Sequence, residues 1–292
     1  MTAIADHPLR YPLTNELHAR PFPTLGVPGT AVFIAIKPAE NAAARDRAAD
    51  FHHLTKLLDR HGVAHPPPGA THYFGRIGKY ALKWESHTEF VTYTAFADGV
   101  SARSFDPADF EVFPADWLAE APGMRITSAL VRIDVLKEKE EVVRSLSDWF
   151  VPESLAASYV LDEAAVVAGD FRIDPAGHIR LAVFVAPGTG ARRVGRIVQR
   201  MLEIETYKTM SMLGFARVRE IGSRMGHIDR QLTDLMADMR DEEKSADLTL
   251  AGLLAVSAEL ENLGVQTSFR FGATSAYEAI VHQRIEVMRE TR

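Results

Sequence analysis

Apolar residues change their rhythm along this chain, and the change divides it. Ala31–Ile36 (AVFIAI) is a short unbroken apolar run, the pattern of a buried strand. Over Ala39–His61 the spacing of Ala48, Phe51, Leu54, Leu57 and Leu58 predicts one face of a helix. The breaker is HPPPG, His65–Gly69. From His72 to Phe96 the chain is rich in Tyr, Phe, Thr, Val and Trp and is interrupted by Gly75 and Gly78, which predicts two or three antiparallel strands in a meander. Residues 98–123 carry Phe105, Phe110, Phe113 and Trp117 among prolines and glycines and read as a loop with short helical turns packed on the sheet. Arg125–Leu136 alternates as a strand and Lys137–Trp149 is helical. Ala164–Gly169 and His178–Ala186 form two strands joined by the turn Asp174-Pro175-Ala176-Gly177.

Beyond Pro187 the period becomes helical. Ala191–Arg240 holds no proline, and Val218, Ile221, Met225, Ile228, Leu232 and Leu235 alternate spacings of three and four, a coiled-coil-like seam. Val194, Ile197, Met201 and Ile204 repeat it upstream, with a slip of phase around Tyr207–Gly214 such as a stutter produces. A helix of about 50 residues extends roughly 75 Å at 1.5 Å per residue, so it needs a mate. Asp241–Asp247 is a polar turn, and Leu250, Leu253, Leu254, Leu260 and Leu263 mark a returning helix. A break is expected near Arg270-Phe271-Gly272, with Ser275-x-x-Glu278 as the capping box of a last helix. That helix runs into the terminal Arg289-Glu290-Thr291-Arg292 with no stop signal, and the chain is expected to be truncated before a membrane region. The fold class is therefore α+β: an N-terminal, mainly antiparallel sheet domain with helices over residues 1–187, then a long C-terminal helical hairpin over 188–292.

Composition narrows the chemistry. The 292 residues include no cysteine, which excludes disulfides, thiolate-bound zinc, Fe–S clusters and a cysteine nucleophile. A formal charge of −6 argues against a nucleic-acid partner. Five prolines, Pro8, Pro12, Pro21, Pro23 and Pro28, fill the first 30 residues around a short helix expected at Leu13–His18. The N-terminus has neither the basic region nor the apolar stretch of a secretory signal, and a cytosolic start is expected. Apolar runs such as Leu181–Ala186 and Ala251–Ser257 are far shorter than the roughly 20 residues of a membrane-crossing helix, so no span is expected within this sequence.

Three constellations carry candidate chemistry. In Lys83–Phe90 (KWESHTEF), a continuous strand would put Glu85, His87 and Glu89 on one face, as weak metal ligands or an acid–base group; a hairpin turn at Glu85–Thr88 would undo the alignment and leave a polar turn. His18-Ala19-Arg20-Pro21 sets an imidazole beside a guanidinium, and Arg20 suits a carboxylate, of a ligand or of Glu85 or Glu89. In Pro187–Arg193 (PGTGARR), Gly188 and Gly190 precede a helix start that offers free N–H groups to anions. Arg192, Arg196 and Arg200 follow at steps of four with Arg193 beside them. Cations are disfavoured near a helix N-terminus, so something anionic must compensate: acidic residues of the sheet domain, Glu203, or a phosphate, nucleotide or lipid headgroup. No dinucleotide fingerprint, P-loop, nucleophile elbow or HExxH motif occurs. His52-His53 lies mid-helix, where neighbours point apart, so a shared metal site is not expected.

The chain is similar to the bacterial domain-of-unknown-function family 3422, whose members are described as membrane-anchored. The segments that carry the resemblance are His7–Arg10, His18–Pro21, Leu82–Phe90, Asp116-Trp117-Leu118, Gln199–Tyr207 and Arg270–Ala273. The resemblance implies a cytosolic part, on the cytoplasmic side of an inner membrane, and supplies no reaction and no cofactor. In architecture alone, a sheet domain leading into a very long helix resembles magnesium transporters with a cytosolic funnel, which leaves an ion-transporter-like assembly as an alternative. The expected function is a non-enzymatic module that forms homo-oligomers or transmits a signal through its helical stalk, reaching the membrane through a segment outside this chain. The enzymatic alternative is a metal- or anion-dependent hydrolase or ligand-binding enzyme using His18, Arg20, Glu85, His87 and Glu89.

Overall fold

The structure is a computed structural model, and it describes residues 4–11, 13–14, 22–240 and 245–289. His18, Arg20 and most of the short helix expected at Leu13–His18 lie outside the described residues, as do residues 241–244 of the polar turn. The strands are β1 (Gly29–Lys37), β2 (His72–Ile77), β3 (Tyr80–Ser86), β4 (Val91–Asp98), β5 (Met124–Val135), β6 (Ala156–Val160), β7 (Ala165–Ile173) and β8 (Ile179–Val185). The helices are α1 (Arg47–Arg60), α2 (Ala115–Ala119), α3 (Lys139–Trp149), α4 (Ala191–Asp238) and α5 (Ala246–Arg289). The class is α+β, as its sequence pattern predicts.

All strands form one eight-stranded sheet in the order β2-β3-β4-β1-β5-β8-β7-β6. Every neighbouring pair is antiparallel except β5 with β8. That parallel pair has a topological cause: after β5 the chain passes through α3 to the far edge and returns by β6 and β7. The meander expected from His72 to Phe96 is present as β2, β3 and β4. β6 (AASYV) is a strand that apolar patterning misses, because four of its residues are exposed. The helix expected from Ala39 begins later, at Arg47, because the Asp46 side chain accepts hydrogen bonds from the Ala48 and Ala49 amides and caps it there.

Two compact units make up the chain, residues 1–203 with 286–292, and residues 204–285; this division falls inside α4, whereas the expected boundary, between 187 and 188, precedes that helix. In the first unit both faces of the sheet are covered. Val32, Ile34, Leu82, Trp84 and Tyr93 lie in one core with Leu54, Leu57 and Leu58 of α1 and Trp117 of α2. Strand alternation turns Phe33, Lys83, Ala129 and Val131 to the opposite face. There the start of α4, with Val194, Ile197 and Val198 buried, supplies the cover, and Lys83 Nζ donates to Gln199 Oε1 at 2.8 Å. Gly195 lets the main chain at Pro23 pass directly against α4: a Cβ on it would sit 1.7 Å from the Pro23 carbonyl oxygen.

The second unit is an antiparallel helix pair with a narrow seam. Ile228, Val256 and Leu263 are buried together, with Ile221 and Leu235 against them. Tyr207 stacks on Tyr277 at 5.5 Å, and a Cβ on Gly214 would lie 2.4 Å from the Thr274 hydroxyl. The break expected at Arg270–Gly272 does not occur, and Ser275 sits inside a continuous α5. A helical glycine costs only about 1 kcal/mol, and the neighbouring contacts of Thr274 and Tyr277 hold the helix through it. By length and composition α5 contains a stretch apolar enough to cross a membrane, of which 17% is buried. Scanning for uncharged runs overlooks it, since Glu259 and Glu261 interrupt the apolar residues.

Candidate functional site

The KWESHTEF segment settles as a hairpin. Ser86 pairs with Val91, and the His87 amide donates to the Phe90 carbonyl at 2.9 Å, so the continuous strand that would align Glu85, His87 and Glu89 is absent. Glu85 lies within β3 opposite Thr92, His87 stacks on Phe90 with ring centroids 4.4 Å apart, and Glu89 is buried in the turn. Among the described residues no three His, Asp or Glu side chains are grouped to hold a metal.

A guanidinium that the sequence reading passed over holds this turn. Arg45 binds Asp50 through Nε at 2.7 Å, donates through Nη2 to Ser86 Oγ at 2.9 Å and to the Phe90 carbonyl at 3.2 Å, and through Nη1 to the Thr88 carbonyl. Both side chains of the ion pair are buried. Burial pushes the Asp50 carboxyl above its ordinary value, against the downward pull of Arg45. The spacing of Arg45 and Asp50 carries no recognisable motif, so only the fold brings the clamp into view.

On the other face of β3 a chain of polar groups runs to α4. Glu85 Oε2 lies 3.2 Å from Lys83 Nζ, Lys83 bonds Gln199, and Gln199 Nε2 donates to Glu203 Oε1 at 2.7 Å. Lys83 is 5% exposed, and a buried ammonium requires such partners.

His53 forms a second buried network. Its Nε2 lies 3.0 Å from the Trp117 carbonyl and its Nδ1 3.0 Å from the Tyr93 hydroxyl. A carbonyl only accepts, so Nε2 carries the proton and Nδ1 accepts from Tyr93. The ring stacks on Trp117 at 3.9 Å, and burial lowers its pKa. His52 points to solvent, in keeping with the expectation that the two part ways. Ser128 Oγ and His178 Nδ1 are 3.0 Å apart, but both are buried and Asp174 holds the His178 main-chain amide rather than its ring. The trio shapes a turn and is not arranged as a nucleophile.

Of the predicted anion site, Gly188 and Gly190 lie in the loop before α4 as expected, Gly188 with φ +85°. Arg193 turns inward, donating to the Leu161 carbonyl at 2.6 Å and lying 3.5 Å from Asp162. That contact braces a turn in which Leu161, Asp162 and Glu163 all have positive φ, a conformation that costs each roughly 1–3 kcal/mol. Arg200 reaches the Val287 carbonyl at 3.4 Å and lies over the Phe22 ring. Arg192 and Arg196 are exposed and have no ion pair among the described residues.

A family model described as "Protein of unknown function (DUF3422)" matches residues 5–292. The chain belongs to this family. No curated protein matches it, and no solved structure does. Three segments that carried the resemblance meet at the features above: Leu82–Phe90 forms the clamped hairpin, Asp116-Trp117-Leu118 covers His53, and Gln199 opens the α4 segment that receives Lys83. Arg270–Ala273 lies within α5. In this member of the DUF3422 family Trp84, Glu89, Trp117 and Lys83 of these segments are buried, whereas His7–Arg10 are exposed.

Proposed function

We propose that the chain is a non-enzymatic assembly module, in which the helix pair of residues 204–285 joins a second copy through apolar surface that it does not cover itself. One observation carries this reading, the splitting of the predicted seam into two parallel stripes. Ile221, Ile228 and Leu235 face α5. Val218, Met225 and Leu232, also seven residues apart, remain 51%, 43% and 38% exposed. A stripe at heptad spacing that lies open beside an occupied one is the arrangement a further helix fills. The outer face of α5 adds Leu254, Val265 and Phe269, all exposed, and large apolar side chains gathered in the open are a mark of interaction sites.

Sedimentation velocity of the chain over a concentration series tests the reading. A dimer or higher oligomer is expected, and the triple variant Val218→Glu, Met225→Glu, Leu232→Glu weakens it by at least about tenfold. A protein monomeric throughout the series defeats the proposal, as does a triple variant that associates like its parent.

A second reading draws on the composition of α5. We infer attachment to the cytoplasmic side of a bacterial inner membrane, in line with the resemblance, with lipid rather than protein against Leu254, Val265 and Phe269. Flotation with vesicles containing anionic lipid, compared with Leu254→Lys/Val265→Lys, separates the two: lipid contact predicts flotation of the parent and its loss in the variant. Arg192 and Arg196 are exposed cations of the first unit, and Arg196→Glu is expected to lower flotation on anionic vesicles only.

A further inference from the structure

The two edges of the sheet are protected to different degrees. β2 ends one side with Arg76 in its sequence and Gly75 breaking it. β6 ends the other with Ala156-Ala157-Ser158-Tyr159-Val160, which has no charge and no proline. Natural proteins usually guard an edge with such residues, since its free N–H and C=O groups invite another strand. β6 pairs with β7 on one side, and no strand lies on its other side among the described residues. Four of its five residues are exposed.

An apolar hollow opens next to this edge. A cavity of about 240 Å³ lies between α3 and the β6–β7 pair, with Leu136, Val143, Leu146 and Tyr159 among its walls. Val143 and Tyr159 are 52% and 57% exposed. Small-molecule pockets run to about 300–1,000 Å³, so this one is sized for side chains rather than for a whole ligand. The charged residues lining it are Lys137 and Lys139, and no Asp or Glu is part of its wall. Lys137 lies 3.3 Å from Glu141 in a solvent-exposed pair, an interaction weak enough to be exchanged. Lys139 has no ion pair among the described residues.

We propose that β6 and α3 form a docking groove for an extended peptide segment. The segment adds to the sheet edge as a further strand, sets every second side chain into the hollow, and places a carboxylate, from an acidic residue or a chain end, against Lys137 and Lys139. Main-chain hydrogen bonds to β6 provide affinity, and the hollow and the lysines provide selectivity. An extended partner is favoured over a helical one because it alone satisfies the edge backbone. The cations in an otherwise apolar hollow favour an anionic group over a neutral one.

The test uses the full chain and a fluorescein-labelled synthetic peptide of alternating valine and threonine with a free C-terminal carboxylate, beside its C-terminally amidated form. Anisotropy reads binding, and amide hydrogen exchange reads protection of residues 156–160. The free-acid peptide is expected to bind and to slow exchange there by at least about tenfold, and amidation, Lys139→Glu and Val143→Glu each to weaken binding by about fivefold or more. Val143 and Lys139 are exposed, and circular dichroism confirms that each variant keeps its fold; if one does not, the other carries the comparison. The proposal is overturned by absence of binding up to about 1 mM peptide, by binding that both variants leave intact, or by unchanged exchange at 156–160. It is equally overturned if those amides are already protected in a concentration-dependent way without peptide, because a second copy then occupies the edge.

Discussion

The sheet unit and the helix pair are built from similar proportions of apolar residues and use them in opposite ways. In the first, strands alternate and helices cover both faces, so Trp84, Tyr93, Trp117 and Leu57 have essentially no exposure. In the second, two helices offer one shared seam, and Ile228, Val256 and Leu263 are its buried members, while Met212, Phe215, Val265 and Phe269 face outward. A layered sheet can enclose its own apolar surface, whereas a helix pair with more than one apolar stripe per helix cannot. The contrast teaches which unit encloses its own apolar surface and which leaves part of it open.

Breaking the sheet unit takes the largest effects. Trp117→Ala removes the ring stacked on His53 and the Nε1 bond to the His53 carbonyl at 2.8 Å, and is expected to cost about 3–5 kcal/mol in chemical denaturation. Arg45→Ala leaves Asp50 buried without its cation and is expected to cost about 3 kcal/mol or more; Arg45→Met with Asp50→Leu recovers much of that in the same assay if the clamp matters through its unpaired charge. In the helix pair the seam residue Ile228→Ala is expected to cost about 2 kcal/mol. Val218→Ser, on the open stripe, is expected to stay within about 0.5 kcal/mol for the monomer while weakening self-association. Equal losses at residues 218 and 228 would erase the distinction between occupied and open stripes.

Acidity sharpens the comparison further. His53 and His178 are buried and have lowered pKa values, in each case chiefly through burial. A group whose pKa is depressed on folding stabilises the fold above its unfolded value, near 6.5, and loses that contribution as pH falls through the folded value. Stability of the sheet unit is therefore expected to decline as pH is lowered from 7 toward 5. His53→Gln, which titrates nowhere in this range, should flatten the decline in melting temperature. A slope unchanged by this substitution removes His53 from the account.

Much of this contrast was legible in the residues themselves. The meander, the crossover helix after β5 and the long helix after Pro187 follow from period and punctuation. What escaped was set by tertiary context. β6 gave no strand signal because most of its side chains face solvent, and the break assigned to Gly272 failed because packing around Thr274 and Tyr277 outweighed one glycine. In the heptad seam, spacing identified the apolar positions correctly without revealing that they divide between a covered and an open stripe. The candidate polar cluster was read as strand or turn, and the turn is present. Its organiser, Arg45, comes from a separate part of the chain, at a distance no local pattern encodes.

The parallel pairing of β5 with β8 has a kinetic corollary. β2, β3 and β4 join through tight connections and can zip as nearest neighbours, whereas β8 reaches β5 only after residues 136–178 have made their excursion. Closing that large loop is slow compared with forming local hairpins. β1 likewise meets β4 and β5 only across residues 38–90 and 38–123, so the interior of the sheet is expected to be sealed after the local hairpins at its two ends have formed.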